Sequence, residues 1–176
     1  MANLLQDARD YKEAGNNLFR EKDFEKALYN YHMGVITLKA ITRQSASGSM
    51  AGIPGMSSRM KEYSGEEKAE ANELIVLLHS NIAQCALSQD RPQRAIAETT
   101  SALAIDPAHV KSLYRRAIAR MAPGDLHDTE KARTDLEEAF RLSPDDKAVL
   151  AAMKKLKALE AKELEKQKAS YAKMFA

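Results

Sequence analysis

Three short runs recur through this chain at matched offsets, and they restrict it to a stack of closely packed helices. Ala95, Thr99 and Ala102 precede Pro107 by 12, 8 and 5 residues, and Ala132, Leu136 and Ala139 precede Pro144 by the same distances. Ala27, Tyr31 and Gly34 repeat the spacing nearer the N-terminus. A second set, Gly15, Ala83 and Ala117, is spaced by 68 and then 34 residues, two periods and one. Small side chains let two helix backbones cross closely, and the larger residue between them fills the remaining space. Self-similarity at a period of about 20–50 residues marks an array of repeated structural units.

Hydrophobic periodicity supplies the helices that these positions would join. Leu4, Ala8, Tyr11, Ala14, Leu18 and Phe19 predict a helix over residues 3–20. Asp23 is a candidate N-cap for the next, about 24–42, with Phe24, Ala27, Leu28, Tyr31, Val35 and Leu38 along one face. Ser64 and Glu67 have capping-box spacing at the head of a long helix running to about Gln89. Pro92 suits the first turn of a partner over 91–105, and Asp106-Pro107 closes it. A third pair covers 109–122 and 127–142, joined around Pro123-Gly124; Pro107 to Pro144 is 37 residues, so this turn carries three extra. One charged helix then spans about 145–174, its apolar residues thinning beyond Glu160. Residues 43–65 hold four of the seven Gly, six Ser and three Met, and read as an inserted surface loop. The doubled interval from Gly15 to Ala83 leaves room for a hidden degenerate repeat, but so Gly/Ser-rich a stretch cannot supply a packed helix pair.

Composition narrows the function. Aromatics are 6% of the 176 residues, so the core is built mainly from Leu, Ala, Ile and Met, which favours helices. A net charge of +2 is too balanced to suggest nucleic-acid binding. No 18-residue apolar run is present to span a bilayer. The single Cys85 permits no internal disulfide, which points to a reducing, cytoplasmic setting, with the nucleus also open. His32, His79, His109 and His127 lack metal-ligand spacing and read as surface or groove-edge residues, and Cys85 reads as core. No phosphate loop or nucleophile set is present, so no enzyme, cofactor or metal is expected.

The summed pattern resembles the tetratricopeptide repeat family over nearly the whole chain. The resemblance implies an all-α, right-handed superhelix of three helix pairs, about 8–42, 76–109 and 110–144, followed by a C-terminal capping helix at 145–176. The first repeat departs from the pattern in having Lys39 where a terminal Pro is usual. The family's first helices line a concave groove.

Five polar residues fit no apolar stripe of their own helices. Lys12 and Asn16 are i and i+4, as are Lys111 and Arg115, while Asn81 lies two residues before the small Ala83. An Asn in mid-helix costs helix propensity and so needs a reason. At these positions the chain resembles the clamp-type repeat domains of heat-shock protein 90 and heat-shock protein 70 co-chaperones. The resemblance implies that Lys12, Asn16, Asn81, Lys111 and Arg115 bind the acidic Glu-Glu-Val-Asp tail of those chaperones; such an adaptor is expected to be a monomer. Three cations and two amide donors suit the two carboxylates of a C-terminal Asp. Alternatives are a repeat scaffold for another protein, and the non-catalytic part of an immunophilin-like protein, since the chain also resembles large immunophilins and the tetratricopeptide-repeat-protein-9 family. Large immunophilins carry an isomerase domain before such repeats; here Met1 stands almost at the first repeat, so that domain is expected to be absent or cut away.

Overall fold

In the computed structural model, residues 3–43, 63–122 and 128–174 are described. Their regular structure is entirely α-helical: α1 Leu4–Arg20, α2 Phe24–Arg43, α3 Gly65–Ser88, α4 Pro92–Ile105, α5 Val110–Arg120, α6 Thr129–Leu142 and α7 Lys147–Met174. The expected insertion at 43–65, apart from its two ends, and the Pro123-Gly124 turn lie outside the described residues.

Local chemistry sets the helix ends. Asp23 Oδ1 accepts the Lys26 N–H at 3.2 Å, which caps α2. The capping box forms in full at α3: the Glu67 N–H donates to Ser64 Oγ at 3.1 Å, and the Ser64 N–H donates to Glu67 Oε2 at 2.8 Å. Asp128 does the same work for α6, accepting from the Lys131 N–H at 2.8 Å. The turns repeat too. Lys22, two residues before α2, has φ 64°, and Asp90, two residues before α4, has φ 54°. Each follows its small crossing residue, Gly15 or Ala83, by the same seven positions.

The helices form two layers. Each helix packs on its neighbour in sequence, and α1·α3, α3·α5 and α5·α7 also touch. Among the described residues the backbones of α2, α4 and α6 do not approach one another in this way, and α2 and α4 meet only through long side chains such as His32 and Arg94. The odd-numbered helices are therefore the inner row and the even-numbered ones the outer. All nine residues of the three matched runs are buried, as are Gly15, Ala83 and Ala117. The buried apolar residues form three clusters along the stack, one around Ala8 and Leu38, a small one around Ala83, Ala86, Ala95 and Ala119, and one reaching Val149 and Leu156 on α7. Beyond Glu163, which still accepts from the Thr129 hydroxyl of α6 at 3.4 Å, Leu164, Tyr171 and Met174 of α7 are exposed.

Gly15 marks the closest crossing. A Cβ built there would lie 2.5 Å from Cε1 of Tyr31 on α2. The ring cannot swing aside, because Tyr31 is buried and its hydroxyl donates to Asn16 Oδ1 at 2.8 Å. Gly15→Ala gains about 1 kcal/mol of helix propensity, but overpacking costs about 1–3 kcal/mol. The expected net is a loss of about 1 kcal/mol, read as a melting temperature a few degrees lower by calorimetry. An unchanged or raised value would contradict the crossing.

Of the histidines expected at the surface or the groove edge, His127 lies outside the described residues and His79 is buried on α3, with Nδ1 2.7 Å from Glu98 Oε2 on α4. A carboxylate from the facing helix makes that burial tolerable. His32 Nε2 lies 2.6 Å from Arg94 Nη2. Burial lowers the His32 pKa, with Arg94 adding to the effect and Glu98 opposing it. Burial also lowers that of His109, opposed by Asp106 and aided by Arg115 and Lys111. Both therefore bind protons less readily folded than unfolded. Above their ordinary value of 6.5 this costs nothing; below it the unfolded state takes up protons first, so stability falls as pH falls. Melting temperature is expected to drop between pH 7 and pH 5.5, and a flat profile would contradict it.

Candidate functional site

The inner row brings Asn16 of α1, Asn81 of α3 and Arg115 of α5 to the wall of one pocket of about 340 Å³. Phe19, Arg20, Tyr31 and Gln84 complete its lining. Lys12 and Lys111 are not part of that lining. Each stands one turn earlier on its helix, Lys12 half-buried and Lys111 exposed, and neither has an ion-pair partner among the described residues. Three of the five expected residues thus line one pocket, and the two lysines stand one helical turn away from it on the same helices.

The neutral donors are held in a fixed orientation. Asn16 Oδ1 accepts from the Tyr31 hydroxyl at 2.8 Å and from Asn81 Nδ2 at 3.2 Å. Burial pushes the Tyr31 pKa up to about 12, the nearby Cys85 adding to this and Arg115 opposing it. The phenol therefore keeps its proton and donates throughout the physiological range. With the oxygen of Asn16 satisfied twice, its amide N–H groups make no hydrogen bond among the described residues.

Arg115 is the most unusual group in the site. Its Nη1 donates to Ser80 O at 2.7 Å and to Ser80 Oγ at 2.6 Å, and its Nε donates to Gln84 Oε1 at 3.1 Å. All three acceptors are neutral. Burial lowers its pKa, opposed by the proximity of Tyr31, Cys85 and Tyr114, yet a guanidinium keeps its charge. The next residue, Arg116, shows the contrast: it forms a bidentate pair with Asp135 at 3.0 and 2.7 Å. Arg9, Arg91, Arg120, Arg133 and Arg141 also meet carboxylates. A half-buried cation satisfied only by neutral oxygens has the electrostatic capacity to take an anion.

Sequence reasoning passed over four members of this arrangement. Tyr31 reads as core filler at a helix crossing, and it is also the group that orients Asn16. Ser80 and Gln84 flank Asn81 on α3, and Arg20 lies one turn beyond Asn16, so helical spacing could have pointed to all three. Cys85 is buried as expected, and burial raises its pKa to about 11, which keeps it an inert thiol.

No protein-family model matches the chain. Among curated proteins it is 28% identical over 171 residues to bovine peptidyl-prolyl cis-trans isomerase FKBP4, covering 97% of this chain and 32% of that protein. It is 30% identical over 176 residues to peptidyl-prolyl cis-trans isomerase D of Kluyveromyces lactis, covering 98% and 42%. The chain thus spans less than half the length of either relative. Among solved structures it superposes on the C-terminal TPR-containing domain of a putative FK506-binding protein of Plasmodium falciparum, with a TM-score of 0.69, 20% identity and 93% of each chain covered. The fold is a tetratricopeptide-repeat domain. The first such domain of Spaghetti (RPAP3), bound to the HSP90 peptide SRMEEVD, matches at TM-score 0.63 and 20% identity over 89% of this chain and 94% of that one. The second tetratricopeptide-repeat domain of human RPAP3, in complex with the HSP70 peptide SGPTIEEVD, matches at 0.62 and 22% over 88% and 98%. In this tetratricopeptide-repeat domain the pocket opens between the first helices of the three pairs.

Proposed function

We propose that this domain is a protein-interaction module, a co-chaperone adaptor that binds the acidic Glu-Glu-Val-Asp C-terminus of heat-shock protein 90 or heat-shock protein 70. The observation that carries the reading is the half-buried Arg115 guanidinium, held by Ser80 and Gln84 and facing the pocket without a carboxylate. A C-terminal Asp brings two carboxylates, its side chain and the chain end. Arg115 and Lys111 from α5, with Lys12 from α1, supply the positive charge. Asn16 and Asn81 supply amide donors without adding repulsion. The complexes of similarly folded domains with the peptides SRMEEVD and SGPTIEEVD support the choice of ligand. The adaptor would meet these chaperones in the cytoplasm as a monomer, and the reading assigns it no catalytic step.

Each charge-assisted hydrogen bond contributes about 1.5–3 kcal/mol. After the costs of ordering the peptide and the side chains, affinity of about micromolar strength is expected, weakening with salt. Lys111→Glu tests the assignment, because Lys111 is exposed and its replacement leaves the core untouched. Calorimetric titration with Ser-Arg-Met-Glu-Glu-Val-Asp should show at least about a tenfold loss of affinity, with an unchanged melting temperature. Full affinity in the variant would remove Lys111 from the site.

A further inference from the structure

Arg20 shares with Arg115 the property that singles out the pocket. It lines the same cavity, and among the described residues it meets no carboxylate. Its Nη2 donates to Asn17 Oδ1 at 2.5 Å and its Nε to Asn16 O at 3.4 Å, so the guanidinium is folded back over the last turn of α1. That places an exposed cation one turn beyond Asn16, beside Phe19. Arg94, which also has no carboxylate partner among the described residues, is not part of this cavity's lining and meets His32 instead.

The spacing sets what this cation reaches. From Lys12 to Arg20 along α1 is eight residues, about 12 Å at 1.5 Å per residue. An extended peptide covers that distance in about three to four residues at roughly 3.3 Å each. A partner whose terminal Asp lies between Lys12, Asn16 and Lys111 would then carry the residue about three positions upstream to the Arg20 end of the pocket. We propose that Arg20 is a sixth recognition residue, a cation at the rim of the pocket that receives an acidic side chain about three positions before the partner's C-terminus. This rests on the tail-binding reading above. It gives the groove a reason to prefer a tail with an acidic stretch over any chain that merely ends in a carboxylate.

The alternative role for Arg20 is structural, since a cation at a helix C-terminus complements the helix dipole. A cycle of protein and peptide variants separates the two. Wild type and Arg20→Ala are each titrated with Ser-Arg-Met-Glu-Glu-Val-Asp and with Ser-Arg-Met-Gln-Glu-Val-Asp, which lacks the carboxylate three positions before the end. The expected result is a three- to tenfold loss on Arg20→Ala for the first peptide, about the effect of one partly exposed charge-assisted contact. For the second peptide the loss should vanish, and Arg20→Lys should recover much of the affinity for the first. An equal loss for both peptides, or no loss for either, overturns the role of Arg20 while leaving tail binding in place. Failure of the wild type to bind the first peptide at all overturns the tail-binding reading, and this inference with it.

Discussion

Asp135→Ala is expected to cost about 3–5 kcal/mol of folding free energy, the range for removing one partner of a buried ion pair. Asp135 sits on α6 between Ala132, Leu136 and Ala139, and its side chain is only 4% exposed. It accepts two hydrogen bonds from Arg116 and one from Arg120 at 2.7 Å, both from α5. Those guanidinium side chains are 18% and 17% exposed. Removing the carboxylate leaves two adjacent cations facing apolar residues with little water to replace it. Arg120 retains one bond to Lys131 O at 3.2 Å, which recovers a little. Arg120→Ala should cost much less, because Arg116 still satisfies the aspartate from two directions. Urea denaturation of the two variants checks both values. A loss under about 1 kcal/mol for Asp135→Ala would mean that the pair is effectively solvated.

Arg115→Ala is the second large effect, and it falls on binding. Affinity for an acidic C-terminal peptide is expected to drop by about a hundredfold, the equivalent of one strong charge-assisted contact of about 2.7 kcal/mol. Stability should change far less. The variant loses the contacts of α5 to Ser80 and Gln84, but it also relieves a half-buried charge that the free protein satisfies only with neutral oxygens. Titration by calorimetry and a thermal melt on the same sample separate the two quantities. Intact binding in a folded Arg115→Ala protein would show that the ligand's charge is met elsewhere.

Much of the fold was legible because packing in a repeat array is periodic. The offsets ending at Pro107 and Pro144, repeated before Lys39, identified nine buried positions on three helices. Gly15 could be separated from its polar neighbours as a crossing residue before its contact with Tyr31 was seen. Capping chemistry located the starts of α2, α3 and α4 to within a residue or so, because Asp23, Ser64 and Pro92 act on their own neighbours. What could not be read were partnerships between helices. Asp135 has the spacing of a core position, three after Ala132 and four before Ala139, yet only the facing Arg116 and Arg120 explain why a carboxylate is tolerated there. His79 looked like a surface or groove-edge residue for the same reason, its Glu98 partner lying 19 positions away. In the site, residue types and helical register singled out Asn16, Asn81 and Arg115, which do converge. Register could not foretell that Ser80 and Gln84 would hold the guanidinium, or that Tyr31 would orient Asn16. Lys22 and Asp90, at positive φ in equivalent turns, were invisible because neither is the glycine such a backbone usually attracts.

The central claim is that the groove recognises the end of a chain through its carboxylates. The direct measurement is calorimetric titration with Ser-Arg-Met-Glu-Glu-Val-Asp as the free acid and as the C-terminal amide. The account predicts about micromolar affinity for the free acid and at least about tenfold weaker binding of the amide, which has lost one of the two carboxylates. Equal affinity for the two forms, or binding of neither, would contradict it.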